Sequence, residues 1–438
     1  MFRKLIPLLA APAVLGAQQV VADPNGARQV TLAEALQLAK DNNISNITAA
    51  NSVRSANNSV RSARAALLPT LDASAGQSLR LGGGGQHVEG DRIVSGGQKW
   101  SYNTGLSTSL TLFDGGKMFS DIRARNADED AAEASQTNTN FNVALQVKTQ
   151  YNAALAANEQ FAAANAQLAV AKQQLDMTVA RVNAGAANIA DSLNSIVQVG
   201  NAELAILTAQ QSLRSANAGL TRLAGTSYII TATAADTIAH NATPIDSAEV
   251  MRLALEGPAI RQAQAQIGSA SASLKSAKTA YFPTVGASAN LAGQGQDALY
   301  GLNSNPYPYT RTVSLSLRFP IFNRFQRENS IESAQIAHEN AEASLKDAKL
   351  QAQQTVITQL GLLHNAEEQV RVQENSVRAN EEALRVNQQR YNLGAGTLLE
   401  VLTSQSSLVS ARQGLIQARL NYRNARAQIE AVIGRDLQ

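Results

Sequence analysis

The residues able to do covalent or metal chemistry are few and dispersed. Cysteine is absent, which removes thiol nucleophiles, disulfides and a lipidated N-terminal cysteine. His87, His240, His338 and His364 stand far apart without metal-ligand spacing, so no metal centre is expected. The run LGGGG at 81–85 lacks the lysine and strand-to-helix setting of a phosphate loop, and no G-x-S-x-G nucleophile elbow occurs. No catalytic residue and no cofactor are predicted. What remains is turn and charge chemistry. RVNAGAANIADSL at 181–193 and RYNLGAGTLLEVL at 390–402 match place for place: Arg181, Asn183, Gly185, Asp191 and Leu193 answer Arg390, Asn392, Gly394, Glu400 and Leu402. In each, glycine can take the positive φ of a tight reversal. An acid follows six residues later near a helix N-terminus, where the macrodipole favours it.

The offset of 209 extends far beyond these turns. Apolar residues recur every seven positions through Val147, Ala154, Phe161, Leu168, Leu175 and Val182, and in phase through Val356, Leu363, Val370, Val377, Leu384 and Tyr391. After each turn the ladder resumes as Val199, Ile206, Leu213 and Leu220, matched by Leu408, Leu415, Tyr422 and Ile429. Nearer the start of each half the offset becomes 214, pairing LLPT at 67–70 with YFPT at 281–284. The chain reads as a tandem duplication. A seven-residue period keeps a seam toward a partner only in left-handed supercoiled helices. Proline is absent from 115–181 and from 324–390, so each is expected to be one helix, about 100 Å long at 1.5 Å per residue.

Between the first short helix and the long helix of each half the period changes from seven to two. Leu106, Thr108, Leu110 and Leu112 alternate with polar residues, as do Val313, Leu315, Leu317, Phe319 and Ile321. Each segment is about ten residues, the length of a tilted membrane strand. Trp100, Tyr102, Tyr300, Tyr307 and Tyr309 cluster near the loop ends, where an aromatic girdle would lie. Four strands cannot close a barrel in lipid, so copies must combine; two, three or four copies give about eight, twelve or sixteen strands.

Composition agrees with this picture. Aromatic residues are only 4% of the 438, which suits close-packed helices better than a globular enzyme core, and the net charge is +3 with no basic stripe, so nucleic acid is not an expected partner. MFRKLIPLLAAPAVLGAQQVVADPNG has two basic residues, a short apolar run and small residues, the layout of a secretory signal peptide. The expected organisation is a signal peptide over 1–22 and a first repeat over 23–225, with hairpin 70–113, long helix 115–181, tip turn 182–188 and helix 188–224. A linker follows over 226–257. The second repeat takes 258–438, with hairpin 284–322, long helix 324–390, tip turn 391–397 and helix 397–433.

The signal peptide, paired hairpins, long heptad helices, LTLFDGGK at 110–117 and twin glycine turns together resemble the TolC family of outer-membrane efflux and secretion channels. The resemblance implies a membrane β-barrel plus a long α-helical coiled-coil barrel: a homotrimer sharing one twelve-stranded barrel in outer-membrane lipid, continued by a twelve-helix periplasmic tunnel. TLAEALQLAKD at 31–41, DSAEVMRLALE at 246–256 and residues near 226–245 would form its equatorial belt. The glycine turns become the periplasmic tips, and Ala184, Gly185, Ala186, Leu393, Gly394 and Ala395 the docking surface for a periplasmic adaptor protein. Glu400 falls where many members carry a constricting acid. Thr403 stands where they carry a second, and Asp191, with Asn194 three residues on, is the first-half counterpart. Gly396 replaces an arginine used by some members in a gating link, so that link is not expected. The implied function is a passive exit duct joined to an adaptor and an inner-membrane transporter, in an efflux pump or type I secretion system of a Gram-negative bacterium. The alternative is a soluble periplasmic coiled-coil adaptor or scaffold, which has no need of the strands.

Overall fold

The computed structural model describes residues 26–79, 87–89, 92–94, 100–233, 246–295 and 309–437. The expected signal peptide, the 81–85 glycines, His240, Tyr300, Tyr307 and the side chains of His87, Trp100 and Tyr102 lie outside what is described. The chain begins with β1 (Arg28–Val30), α1 (Leu32–Asn42) and α2 (Ile44–Ala65). Asn43 joins the two helices: its side chain accepts from Ser45 N–H at 2.9 Å to cap α2 and donates to the Leu223 carbonyl at 2.8 Å. Next come β2 (Thr70–Leu79), the short pair β3 (His87–Glu89) and β4 (Arg92–Val94), and β5 (Trp100–Phe113). Then follow α3 (Lys117–Asn183), α4 (Ile189–Ala224), β6 (Ile230–Ala232), α5 (Ser247–Ala254) and α6 (Pro258–Lys278). The second sheet segment is β7 (Thr284–Gly295) and β8 (Tyr309–Arg318), followed by α7 (Gln326–Asn392) and α8 (Leu398–Ile433). Helices α3 and α7 have 67 residues each, and α4 and α8 have 36 each.

No described helix is long and apolar enough to cross a membrane. The sheet has the opposite character. Its order is β2-β5-β7-β8, antiparallel throughout. The register places Leu71, Thr108, Ala289 and Val313 in one row, and the next rows on either side are Thr70, Ser109, Ser288, Ser314 and Asp72, Ser107, Asn290, Thr312. Side chains in successive rows point to opposite faces. One face is therefore mainly aliphatic, with Thr108 and Arg311 among its residues, and the other is hydroxyl, amide and carboxylate. The aliphatic face is bare: Val313 is 85% exposed and Leu315 74%.

Helix-to-strand junctions follow local chemistry. Pro69 and Pro283 precede β2 and β7 and cannot continue a helix. Helix α2 stops at Ala65 and α6 at Lys278, the latter giving way to a 3₁₀ turn over Thr279–Tyr281. Strand β8 ends at Arg318, short of the expected 322, because Pro320 has no N–H for a ladder. Entry into α3 uses Gly115 and Gly116 at φ 72° and 82°, with the Asp114 carboxylate accepting from Met118 N–H at 2.7 Å. Entry into α7 makes the same bend with Arg324 and Phe325, both at φ 59°. Each of those two side chains sits in left-handed backbone at a cost of about 1–2 kcal/mol.

The ladder positions named from the sequence are buried or half-buried along the helices. Two clusters hold the middle of the molecule. One joins β1, α1 and β6 to α3 and α4 through Val30, Ala35, Val147, Tyr151, Leu220 and Ile230. The other joins α5 to α7 and α8 through Val250, Val356, Leu363 and Ile429. A third, Tyr391, Leu398 and Val401, closes the second glycine turn.

Candidate functional site

Both glycine turns have the same construction. Gly394 N–H donates to the Tyr391 carbonyl at 3.1 Å and Ala395 N–H to the Arg390 carbonyl at 2.8 Å; Gly185 N–H donates to Val182 at 3.0 Å and Ala186 N–H to Arg181 at 2.8 Å. These paired bonds are the Schellman motif, which satisfies carbonyls left over at a helix end. It requires a left-handed residue, and Gly185 and Gly394 supply it at φ 71° and 75°. No atom lies within 4 Å of a Cβ built on either, so both tips are open to solvent. Leu393 carries this exposure furthest, at 84%.

The second helix of each hairpin starts with its own cap. Asn188 accepts from Ala190 N–H at 3.0 Å. Thr397 accepts from Glu400 N–H at 3.3 Å while the Glu400 carboxylate accepts from Thr397 N–H at 3.3 Å, a reciprocal capping box. Arg390 approaches the same carboxylate at 3.6 Å. Glu400 is thus occupied locally, whereas the Asp191 carboxylate has no hydrogen bond or ion pair among the described residues. Thr403 turns its hydroxyl back onto the Leu399 carbonyl at 2.8 Å. A Cβ on Gly396 would stand 2.9 Å from Glu400 Oε2 and 3.2 Å from Arg390 Cβ, so the missing side chain there makes room for the Arg390–Glu400 pair.

One contact connects the two hairpins, which the chain separates by some two hundred residues. Arg181, at the end of α3, donates to the Tyr391 carbonyl at 2.8 Å and places its guanidinium 4.4 Å from the centre of the Tyr391 ring. Above each tip lies a polar layer in the helix seam. In the first hairpin Gln174 donates to Thr178 Oγ1 at 3.2 Å and Ser195 reaches the same atom at 3.4 Å, all three being buried. In the second, Asn387 donates to Ser404 at 2.6 Å. Such layers fix the register of a coiled coil. These contacts, and the Arg181–Tyr391 link, had no separate signal in the sequence, although all the residues fall within the repeated helices.

Among the described residues no group of three or more His, Asp or Glu could hold a metal ion. The geometry offers two blunt, exposed tips at one end of paired helices of about 100 Å and a sheet with a bare aliphatic face at the other. The family model for outer membrane efflux proteins matches residues 35–226 and 251–435. The chain belongs to this family. The TolC-like resemblance read from the strands, helices and glycine turns is therefore correct. Among relatives of this outer membrane efflux protein, the solvent efflux pump outer membrane protein SrpC of Pseudomonas putida is 27% identical over 184 residues, 42% of this chain and 38% of that protein. That match spans well under half of the relative's length. The pyoverdine export outer membrane protein OpmQ of Pseudomonas putida (strain ATCC 47054) is 26% identical over 405 residues, 91% of this chain and 84% of OpmQ. A crystal structure of CusC shares the fold, with a TM-score of 0.76 at 20% identity over 98% of this chain and 99% of that one.

Proposed function

We propose that this outer membrane efflux protein is a passive exit duct, in which three copies pool their strands into a twelve-stranded barrel and their helices into a periplasmic tunnel. The observation that carries the reading is the sheet register, which sorts aliphatic residues to one face and polar residues to the other. An aliphatic face in lipid and a polar face toward a water-filled lumen is the pattern of a membrane barrel. Strands β2 and β8 are the sheet's edges, and an open edge in hydrocarbon is not tolerated, which supports closure through further copies. The helices carry the same demand. On α4, Ile189, Leu193, Ile196, Leu204 and Leu207 are all more than half exposed, spaced as a seam without a partner in this chain. Equal helix lengths in the two halves and the matched tip turns support the duplication and the repeat boundaries near 225 and 258.

At the periplasmic end, Ala184, Gly185 and Ala186 with Leu393, Gly394 and Ala395 form the docking surface for an adaptor protein that links the duct to an inner-membrane transporter. Asp191, Glu400 and Thr403 border the narrow end. Asp191 supplies the uncompensated charge, because Glu400 is shared with Arg390 and Thr397. Relatives named for solvent efflux and pyoverdine export favour small molecules as cargo over unfolded polypeptides. The soluble adaptor or scaffold reading leaves the bare aliphatic face without a purpose.

The test is a pair of arginines. Leu315→Arg places a charge on the aliphatic face, at a cost of about 2–4 kcal/mol near the bilayer midplane. Ser314→Arg places it on the polar face of the same strand. Membrane-inserted protein should fall for the first and stay near wild type for the second. Equal recovery of both would overturn the barrel assignment.

A further inference from the structure

Between α1, α3, α8 and the C-terminal residues lies a cavity of about 570 Å³, distant from the tips and the sheet. Among the described residues, five charged ones line it: Lys148, Arg423, Arg426, Glu430 and Asp436. Both acids are committed. Lys148 Nζ lies 2.7 Å from Glu430 and 2.5 Å from Asp436, and Arg426 Nε lies 3.2 Å from Glu430 while its other end donates to the Leu437 carbonyl. Three cations thus face two anions.

The surplus charge resides on Arg423. It is only 7% exposed, and it has no hydrogen bond or ion pair among the described residues. The acid whose charge it feels most is Glu159 on α3, which stands outside ion-pair distance, and its neighbour Arg419 is a like charge already paired with Glu374 at 3.1 Å. A buried guanidinium without partners is costly, and burial pushes its pKa down accordingly. The planar fork of arginine matches a carboxylate by two parallel hydrogen bonds. Beside it, Leu32, Leu36, Tyr422 and Leu437 give the same cavity apolar wall. The volume lies within the range of about 300–1,000 Å³ that small-molecule sites occupy.

We propose that this cavity binds a small organic monocarboxylate, with the carboxylate on Arg423 and the apolar part against Leu32, Leu36 and Tyr422. Glu159 opposes the ligand's charge from α3, and the Lys148–Asp436 pair holds the C-terminal residues as one wall.

Isothermal titration of the purified full-length protein in detergent, with 3-phenylpropionate as probe, tests this. The neutral 3-phenylpropanol and the cationic 3-phenylpropylamine serve as controls for partition into micelles. Saturable binding of one phenylpropionate per chain is expected, with no saturable heat from either control. Arg423→Gln should weaken binding by at least about tenfold, the scale of one charged hydrogen-bonded pair. Arg423→Lys, which keeps the charge in the wall, should retain part of the affinity. Glu159→Gln should tighten binding, a gain that a purely structural arginine does not produce. Absence of saturable binding, equal affinity in Arg423→Gln, or equal binding of the alcohol would overturn the proposal.

Discussion

Replacing Gly394 separates two roles that a tip glycine can play, a helix cap and part of a docking surface. Its φ of 75° belongs to the left-handed region, so any Cβ there is strained. For alanine the strain is about 1–2 kcal/mol, a factor of about 5–30 in the equilibrium that keeps the turn closed. Asparagine visits this region more readily, so its strain is smaller although its side chain is larger. Since no atom lies within 4 Å of the Cβ position, neither substitution adds a steric clash inside the chain. If Gly394 only caps α7, export should rank as wild type, then asparagine, then alanine, following strain. The docking account predicts that asparagine impairs export at least as much as alanine, following bulk at the tip. The assay is the resistance of a host lacking its own duct, with the amount of membrane-inserted protein and its cross-linking to the adaptor measured in parallel. Near-normal export by Gly394→Asn, with alanine clearly worse, would refute the docking surface and leave a capping glycine.

Further outcomes follow from the same geometry. Arg181→Ala removes a charged hydrogen bond and a ring contact at Tyr391, worth about 2–4 kcal/mol together, and should speed amide hydrogen exchange around 390–396 while leaving exchange in the sheet unchanged. In planar bilayers, Asp191→Asn should reduce cation preference more than Glu400→Gln, because Arg390 already offsets Glu400; the reverse order would make Glu400 the dominant charge at the narrow end. Lys148 provides a pH handle. Burial opposes its charge, but hydrogen bonds and charge from Asp436 and Glu430 outweigh that and raise its pKa. A cation favoured in the fold contributes fully below the ordinary lysine value of about 10.4, and the contribution fades as pH rises through the raised value. Thermal unfolding between about pH 9 and 12 should therefore lose stability more steeply in wild type than in Lys148→Met.

The sequence was most legible where structure is local and periodic. Heptads in Val147–Val182 and Val356–Tyr391 identify the long helices because a seven-residue period keeps one face of each helix toward its packing partner. Alternation from Leu106 and Val313 identifies β5 and β8 for the same reason at period two. Three-residue pairings were not legible. The parallel match of Arg28–Val30 with Ile230–Ala232 joins segments two hundred residues apart, too short for any pattern. Within hairpin 70–113 no separate β3–β4 pair was expected, although Gly90-Asp91 between HVE and RIV is a recognisable turn signal. The left-handed Arg324 and Phe325 give no sequence cue, since glycine marks such positions elsewhere. A local role of Glu400 was also legible. T-L-L-E at 397–400 is a capping-box pattern, so part of its carboxylate's role was written in the three residues before it.

The central claim is that this chain forms a membrane duct, and one preparation tests it most directly. The full-length chain is expressed in a Gram-negative host, outer membranes are isolated, and the unheated detergent extract is sized and reconstituted into planar bilayers. The account predicts an outer-membrane species of three chains with small, discrete, cation-preferring conductance. A soluble periplasmic product without channel activity would contradict it and restore the adaptor or scaffold reading.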